Sequence, residues 1–331
     1  MTRNILVTGG AGYIGSHACK ELAALGFNPI AFDNLSRGNR VAVKWGPLRV
    51  GDLANKDDIR NAITDFKVTG VLHFAALAYV QESVVVPGRY FHNNIAGSLN
   101  LLEVMTELEV KNLVFSSTCA VYGNQGDWPI SEAASTHPIN PYGESKLQVE
   151  RLLYWYQRTH GLRWVALRYF NAAGADSDGD IGECHDPETH LVPLAIQAAL
   201  GLSSPLRICG TDYPTRDGTA IRDFVHVSDL AEAHVHALNY LDQTGESGIF
   251  NLGSGRGHSV YEVIEEIRRS LNHRVPHVAA GRRAGDPPIL VCNPSRANTI
   301  LGWRATRSDL TTIVRTALMW EQRRQLPEVA E

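Results

Sequence analysis

Four glycines set directly behind an apolar run constrain this chain more than anything else in it. Ile5-Leu6-Val7 reads as a buried strand. Gly9, Gly10, Gly12 and Gly15 follow at once, and Ile14, Ala18, Leu22 and Leu25 then recur on one face of a helix that Gly26 ends. Strand, glycine turn and helix form the opening unit of a dinucleotide-binding fold. The glycines let the backbone turn tightly and approach a pyrophosphate seated on the positive end of the helix dipole. A second strand over 29–32 ends on Asp33, 18 residues beyond Gly15. That is close to the roughly 20-residue offset of the acid that takes the adenosine ribose hydroxyls. An acid there favours NAD, because it repels an added 2′-phosphate; Arg37 is the counter-argument.

The first half alternates strands (48–50, 70–74, 113–116, 164–168) with helices (57–66, 90–108, 142–160, 188–200). Alternation of this kind predicts an α/β fold: a Rossmann-type doubly wound parallel sheet with helices on both faces. Ligands then bind beyond the carboxyl ends of the strands. After Asn171 the pattern changes. Residues 172–187 read as a loop, followed by short strands (206–209, 221–225, 249–252, 274–278, 289–292) among helices near 228–241, 261–271 and 310–323. We expect an NAD-binding domain over 1–171, which also receives 224–252, and a smaller α/β C-terminal substrate lobe over 172–331.

With a net charge of −4, nothing suggests nucleic acid or an anionic membrane as a partner. An anionic substrate must be held by local arginines. No run approaches a transmembrane span, and no signal peptide fits before the first strand. Five scattered cysteines without a CxxC pair suit a reducing cytoplasm. Cys184-His185 with His190 matches no zinc spacing and reads as a solvated loop, so no metal is expected.

Two stretches carry the chemistry. Tyr142 and Lys146 lie four apart and share a helix face. A tyrosine of ordinary pKa near 10 is a poor base. A neighbouring ammonium and a positively charged nicotinamide would both favour the phenolate, giving a general acid/base able to take a proton from an alcohol. Thr118 ends a strand in the hydroxyl cluster Ser116-Ser117-Thr118, where it would hydrogen-bond the reacting hydroxyl. As helix N-caps, Ser116 and Ser117 are better candidates than Thr118.

Glycine turn, Thr118 and Tyr142/Lys146 occur in the order, and with the Gly9-x-x-Gly12-x-x-Gly15 spacing, of the short-chain dehydrogenase/reductases. The chain resembles the extended members of that family, most closely its NAD-dependent UDP-sugar 4-epimerases, over nearly its whole length. The likeness covers Thr8–His17, His73-Phe74-Ala75-Ala76, Ser116-Ser117-Thr118, Asn140-Pro141-Tyr142-Gly143, Arg168-Tyr169-Phe170-Asn171, Gly210–Tyr213, Asp217-Gly218-Thr219, Arg222-Asp223, Asn251–Gly253 and Arg282–Asp286.

The resemblance implies tightly bound NAD, a UDP-sugar substrate interconverted between its galactose and glucose forms, and a homodimer through the helices at 90–108 and 142–160. It implies Tyr13, Ile14 and the glycines at the pyrophosphate. Asp33, Asn34, Leu35, Ser36, Arg37 and Gly38 would hold the adenosine ribose, and Asp52 and Leu53 the adenine. Phe74, Ala75, Ala76, Ala78 and Lys146 would line the nicotinamide half. Asn94, Phe170 and Asn171 would meet cofactor or sugar nucleotide, with His190, Leu191 and Leu206 on the substrate side. Arg222 and Arg283 would clamp the substrate diphosphate, as arginine forks suit, and Asp286 its ribose.

Some positions depart from the family pattern. Ala78 stands where many members have a lysine, Phe224 where a tyrosine is frequent, and His190 where an asparagine is. Leu290, four after Asp286, is neither the bulky nor the small choice for the residue that limits the sugar pocket, which leaves UDP-N-acetylhexosamines open as substrates; Ala78-Tyr79 and Ser116-Ser117-Thr118-Cys119 resemble the UDP-arabinose/UDP-xylose 4-epimerases too, which leaves a pentose open. Cys119-Ala120 lacks the acids that a 4,6-dehydratase or a decarboxylase would place after Thr118. A non-catalytic NAD-binding regulator would tend to lose Tyr142 or Lys146; this chain keeps both.

Overall fold

The computed structural model describes residues 3–283 and 286–325. Seven parallel strands run in the order Gly248–Leu252, Arg163–Tyr169, Asn112–Thr118, Gly70–His73, Asn4–Thr8, Asn28–Asp33, Leu48–Val50. The order reverses between Gly70–His73 and Asn4–Thr8. At such a switch point the flanking connections leave toward opposite faces and open a crevice at the strand ends. Thr8, His73 and Thr118 end their strands on that side.

Side-chain alternation divides the first strand between two cores. Ile5 and Val7 pack with Leu22, Val165, Leu238 and Phe250 on one face, under the helices Tyr13–Ala24 and Val227–Thr244. Leu6 packs with Ile59, Leu101, Met105 and Phe115 on the other, under Lys56–Asp65, Gly97–Glu107 and Pro141–His160. The strand Gly248–Leu252 completes the sheet because it pairs in parallel with Arg163–Tyr169.

The remaining residues form a second layer system. Ile221–His226 pairs with Asn171–Ala173, Gly257–Ser259 and Ile289–Leu290, and Leu206–Cys209 pairs with His277–Ala280. Helices Leu191–Ala199, Val260–Leu271 and Leu310–Gln325 cover them over a core that includes Ile196, Ile208, Val263 and Ile313. Two sequence expectations shift here. The loop expected over 172–187 opens with strand residues that extend Ile221–His226, and the strand expected at 274–278 begins instead at His277. Val275 is buried and its carbonyl accepts from His277 Nδ1 at 2.8 Å, which delays the strand. No helix among the described residues is long and apolar enough to cross a membrane.

Four buried histidines make the fold acid-sensitive. Burial lowers His73 to about 3, and His17, His226 and His234 to about 4. A histidine lowered in the folded state contributes stability that is intact above its unfolded pKa near 6.5 and is lost as pH falls toward the folded value. At pH 5 each should have cost about 1–2 kcal/mol relative to pH 7. Melting followed by circular dichroism should show Tm lower at pH 5 by on the order of 10 °C. An unchanged Tm would show these imidazoles to be protonated in the fold.

Candidate active site

The turn after the first strand is glycine because no side chain fits. A Cβ on Gly15 would lie 2.1 Å from the Gly9 carbonyl oxygen, and one on Gly9, at φ +73°, 2.7 Å from the Ala75 nitrogen. Gly12 begins the helix Tyr13–Ala24 with no side-chain cap, and no acid occupies the first turn. The leading N–H groups of Tyr13 and Ile14 therefore make an anion site at the strand switch point. Asp33 accepts from the N–H of Ala11 at 3.1 Å and of Leu35 at 2.8 Å. Burial pushes its carboxyl up, and those two N–H groups oppose the rise. Gly38 runs so close that a Cβ would come within 2.7 Å of Asp33 Oδ1. Asn34 donates to Asp52 at 2.8 Å and accepts from Ser36 N–H at 3.0 Å, and Leu53 is buried below this rim. These residues fit NAD: a glycine-walled anion site, an acid at the end of the next strand, and a polar rim at Asp52.

Three expected contacts take a different form. Arg37 is 3.0 Å from Glu82, 3.1 Å from the Asp186 carbonyl and stacked 5.0 Å over Tyr79, so it is engaged rather than offered to a 2′-phosphate. The Tyr13 hydroxyl donates to the Gly174 carbonyl at 2.6 Å, which leaves its backbone to the cradle. Asn94 spends its amide inside the protein. Its nitrogen donates to the Leu77 carbonyl at 3.0 Å and to Ser145 at 2.9 Å, and its oxygen accepts from Leu77 N–H at 2.8 Å. From the π-helical turn Phe91–Ala96 it thereby fixes the segment that carries Phe74, Ala75 and Ala76, while Ala78 is exposed.

Tyr142 enters the site because its helix lies unusually close to the end of Asn112–Thr118. A Cβ on the next residue, Gly143, would come 2.6 Å from the Ala120 carbonyl oxygen. Asn140 caps the helix by accepting from Gly143 N–H at 2.8 Å, and Pro141 begins it. Thr118 is itself the cap of the turn Cys119–Tyr122, accepting from Ala120 N–H at 3.1 Å. This corrects the assignment of caps to Ser116 and Ser117. Those hydroxyls bond Tyr169 and, at 2.5 Å, Glu150. As an acceptor in its cap, Thr118 keeps its O–H free to donate, and its hydroxyl favours the nearby Tyr142 oxygen as phenolate.

The electrostatics of the pair also differ from the sequence expectation. Burial pushes the Tyr142 phenol up, Tyr169 adds to this, and the Thr118 hydroxyl opposes it. Lys146 turns its Nζ to the Ser116 carbonyl at 2.8 Å and over the Phe115 ring at 4.9 Å, making no hydrogen bond to Tyr142. Burial lowers the Lys146 ammonium to about 7, against the pull of Glu150. Glu150 is a residue that sequence reasoning missed. It stands one further turn along the Tyr142–Lys146 face, and that spacing was the available signal.

On the opposite side, Arg222 forms an ion pair with Asp286 and donates to the Ile221 carbonyl at 2.8 Å. Arg282 pairs with Asp212 at 2.8 Å and stacks 4.5 Å over Tyr213, whereas Arg283 makes no ion pair among the described residues. Arg283 and Asp286 line a cavity of about 330 Å³ together with Asn124, Ile139 and Tyr213. Phe170 is buried against Cys119 and Cys292, and Asn171 lies in register with Phe224. Leu206 is 5 % exposed within the second core and Leu191 packs against that core, so these two are less open to a ligand than the arginines.

The expected solvated loop at His185 is also corrected. Glu183 and Glu188 are 6 % and 8 % exposed and draw in both His185 and His190. The loop is pinned from a distance. Trp320 donates to the Glu183 carbonyl at 2.8 Å, and Lys20 binds Asp176 at 2.7 Å and Asp178 at 2.8 Å.

The sequence model of the NAD dependent epimerase/dehydratase family matches residues 5–253. A UDP-glucose 4-epimerase of Rhizobium meliloti is 47% identical over 321 residues, covering 97% of this chain and 98% of its own length. The crystal structure of UDP-glucose 4-epimerase from Brucella ovis in complex with NAD superposes with a TM-score of 0.94 at 48% identity, over 96% of this chain and 98% of that one. The UDP-glucose-4-epimerase from Stenotrophomonas maltophila, with bound NAD and formylated UDP-arabinopyranose, does so with 0.94 at 41%, over 97% and 98%. With the glycine cradle, Asp33 and the Tyr142–Thr118 contact on one sheet edge, this chain belongs to the NAD dependent epimerase/dehydratase family.

Proposed function

We propose that this protein is a UDP-glucose 4-epimerase, interconverting UDP-galactose and UDP-glucose with tightly bound NAD. The observation that carries the reading is the placement of Tyr142 beside Thr118 at the carboxyl ends of the strands, one helical turn from Lys146. The relatives named above support the same substrate.

In this reading the glycine turn with the N–H groups of Tyr13 and Ile14 holds the cofactor pyrophosphate, and Asp33 its adenosine ribose. The cofactor contributes reversible hydride acceptance at the sugar C4. Tyr142 takes the C4 hydroxyl proton, with Thr118 bonding the same oxygen, and gives the proton back once the 4-keto sugar has turned over. Turning over requires an anchored nucleotide and a loosely held sugar. Arg222, Arg283 and Asp286 supply the charged contacts for the nucleotide, while Phe170, Cys119 and Leu290 beside them form an apolar neighbourhood. A protonated Lys146 would lend positive charge to the nicotinamide half of the site.

A cytoplasmic homodimer is part of the same proposal. Five free cysteines suit a reducing compartment. Exposed Phe91, Tyr154 and Trp155 lie on the two helical segments expected at the dimer face.

Purified protein incubated with UDP-galactose, without added NAD, should form UDP-glucose. Formation only after NAD is added would overturn cofactor retention, and none under either condition would overturn the activity. UDP-arabinose and UDP-N-acetylglucosamine in parallel reactions would test whether Leu290 confines the pocket to unmodified hexoses.

A further inference from the structure

We propose that Glu183, His185, Glu188 and His190 form a structural site for one divalent transition-metal ion, zinc above all. One donor atom from each of the four falls within 4.8 Å of the others. His185 Nδ1 is 3.0 Å from Glu183 Oε1 and 3.7 Å from Glu188 Oε2; His190 Nδ1 is 3.4 Å from Glu188 Oε1 and closer still to Glu183. A four-coordinate zinc ion with bonds near 2.0–2.2 Å sets its donors about 3.3 Å apart, so little movement is needed to surround an ion.

The donor set selects the class of ion. Two imidazoles with two carboxylates suit zinc and its first-row neighbours, whereas magnesium and calcium prefer all-oxygen shells. A divalent ion also satisfies the charge of the cluster. Two carboxylates that are nine-tenths or more withdrawn from solvent need about two positive charges beside them, and one divalent ion between neutral imidazoles provides both.

The cluster is also preorganised from outside. Glu188 Oε1 accepts from the N–H of Thr189 at 2.7 Å and of His190 at 2.8 Å, which orients that carboxylate. The Glu183 backbone is tied to Trp320, and a Cβ on Gly182 would sit 2.4 Å from the same indole. Tyr13 and Tyr79 present ring edges to His185 at 6.2 and 5.8 Å. Four protein ligands leave no open position, so the ion's role is to hold and not to react. It would clamp the loop below Gly174 against Tyr13 of the cofactor helix and fix the start of Leu191–Ala199.

The test is independent of epimerase activity. The full chain, stripped with chelator and dialysed at pH 8, is titrated with cobalt chloride and, separately, with zinc chloride. We expect one ion per chain, the intense visible absorption of four-coordinate cobalt that zinc then displaces, and a rise in Tm with zinc but not with magnesium. His185→Gln and Glu188→Gln, each close in shape to the native residue, should each weaken zinc uptake at least tenfold. Failure of the native chain to take up cobalt or zinc at micromolar concentration would overturn the proposal, leaving two protonated imidazoles between the carboxylates. Undiminished uptake by both variants would overturn it equally, by locating the metal elsewhere. The native-chain titration decides the matter even if a variant does not fold.

Discussion

Tyr142→Phe is expected to lower the conversion of UDP-galactose to UDP-glucose by roughly 10²–10⁴-fold while leaving NAD bound, the range usual for removing a positioned general acid/base. The substitution takes away one oxygen from a side chain that is 9 % exposed. It leaves the ring packed against Tyr90 and Leu77, so the fold should not suffer. Burial holds the phenol proton on, and the Thr118 hydroxyl favours its release. A phenol in these surroundings becomes a base when positive charge arrives beside it, from the nicotinamide ring and from a charged Lys146. Thr118→Val should act in the same direction but less strongly, since it removes one hydrogen bond and not the proton acceptor. Turnover by Tyr142→Phe within threefold of the native rate would remove Tyr142 from the chemistry. Loss of NAD together with turnover would instead mark the phenol as part of the cofactor cradle.

What could be read from sequence and what could not divide along a physical line. The glycine turn was legible because its demand is local: Gly9 and Gly15 are imposed by backbone atoms a few residues away or on the next strand. Asp33 was legible because a fixed helix length separates it from the turn. Tyr142 and Lys146 were legible as a pair because a helix places residues four apart on one face. Which way Lys146 points was not, because Ser116 and Glu150 decide it, and neither partner follows from the Tyr-x-x-x-Lys spacing. Thr118 was singled out for its hydroxyl, yet its capping role depends on a tight turn with no marked sequence signature. The segment between Gly174 and His190 was the least legible. It is polar and glycine-rich, as surface loops are, but its order comes from Lys20, Lys44, Trp320 and Arg323, each well over a hundred residues away. Composition carries no trace of such tertiary ties.

Glu150→Gln is expected to lower stability by about 3–5 kcal/mol and Tm by roughly 6–15 °C, and to shift the alkaline limb of the activity profile to lower pH. Both effects follow from one buried cluster. Glu150 and Arg168 are each 4 % exposed and meet through two hydrogen bonds, Nε to Oε1 at 2.9 Å and Nη2 to Oε2 at 2.5 Å. The same carboxylate accepts from Ser117 at 2.5 Å, while Arg168 also donates to Tyr122 at 3.0 Å, whose hydroxyl passes on to Asn251 at 2.7 Å. The cluster thus joins the Tyr142 helix to three strands of the sheet. An amide at position 150 leaves the guanidinium charged with no buried counter-charge, which costs more than the pair itself contributes. The double variant Glu150→Leu with Arg168→Met removes both charges and should recover much of the stability; a thermodynamic cycle over the four proteins measures the coupling. The activity effect has a separate origin. Glu150 is the group that resists the burial-driven fall of Lys146 toward about 7. Without it the amine loses its proton at lower pH, so a rate that needs the ammonium should decline earlier as pH rises. The double variant recovers stability but not the carboxylate beside Lys146, so its alkaline limb should stay displaced. Recovery of the native pH profile in that stable double variant would show that the charge on Lys146 does not depend on Glu150.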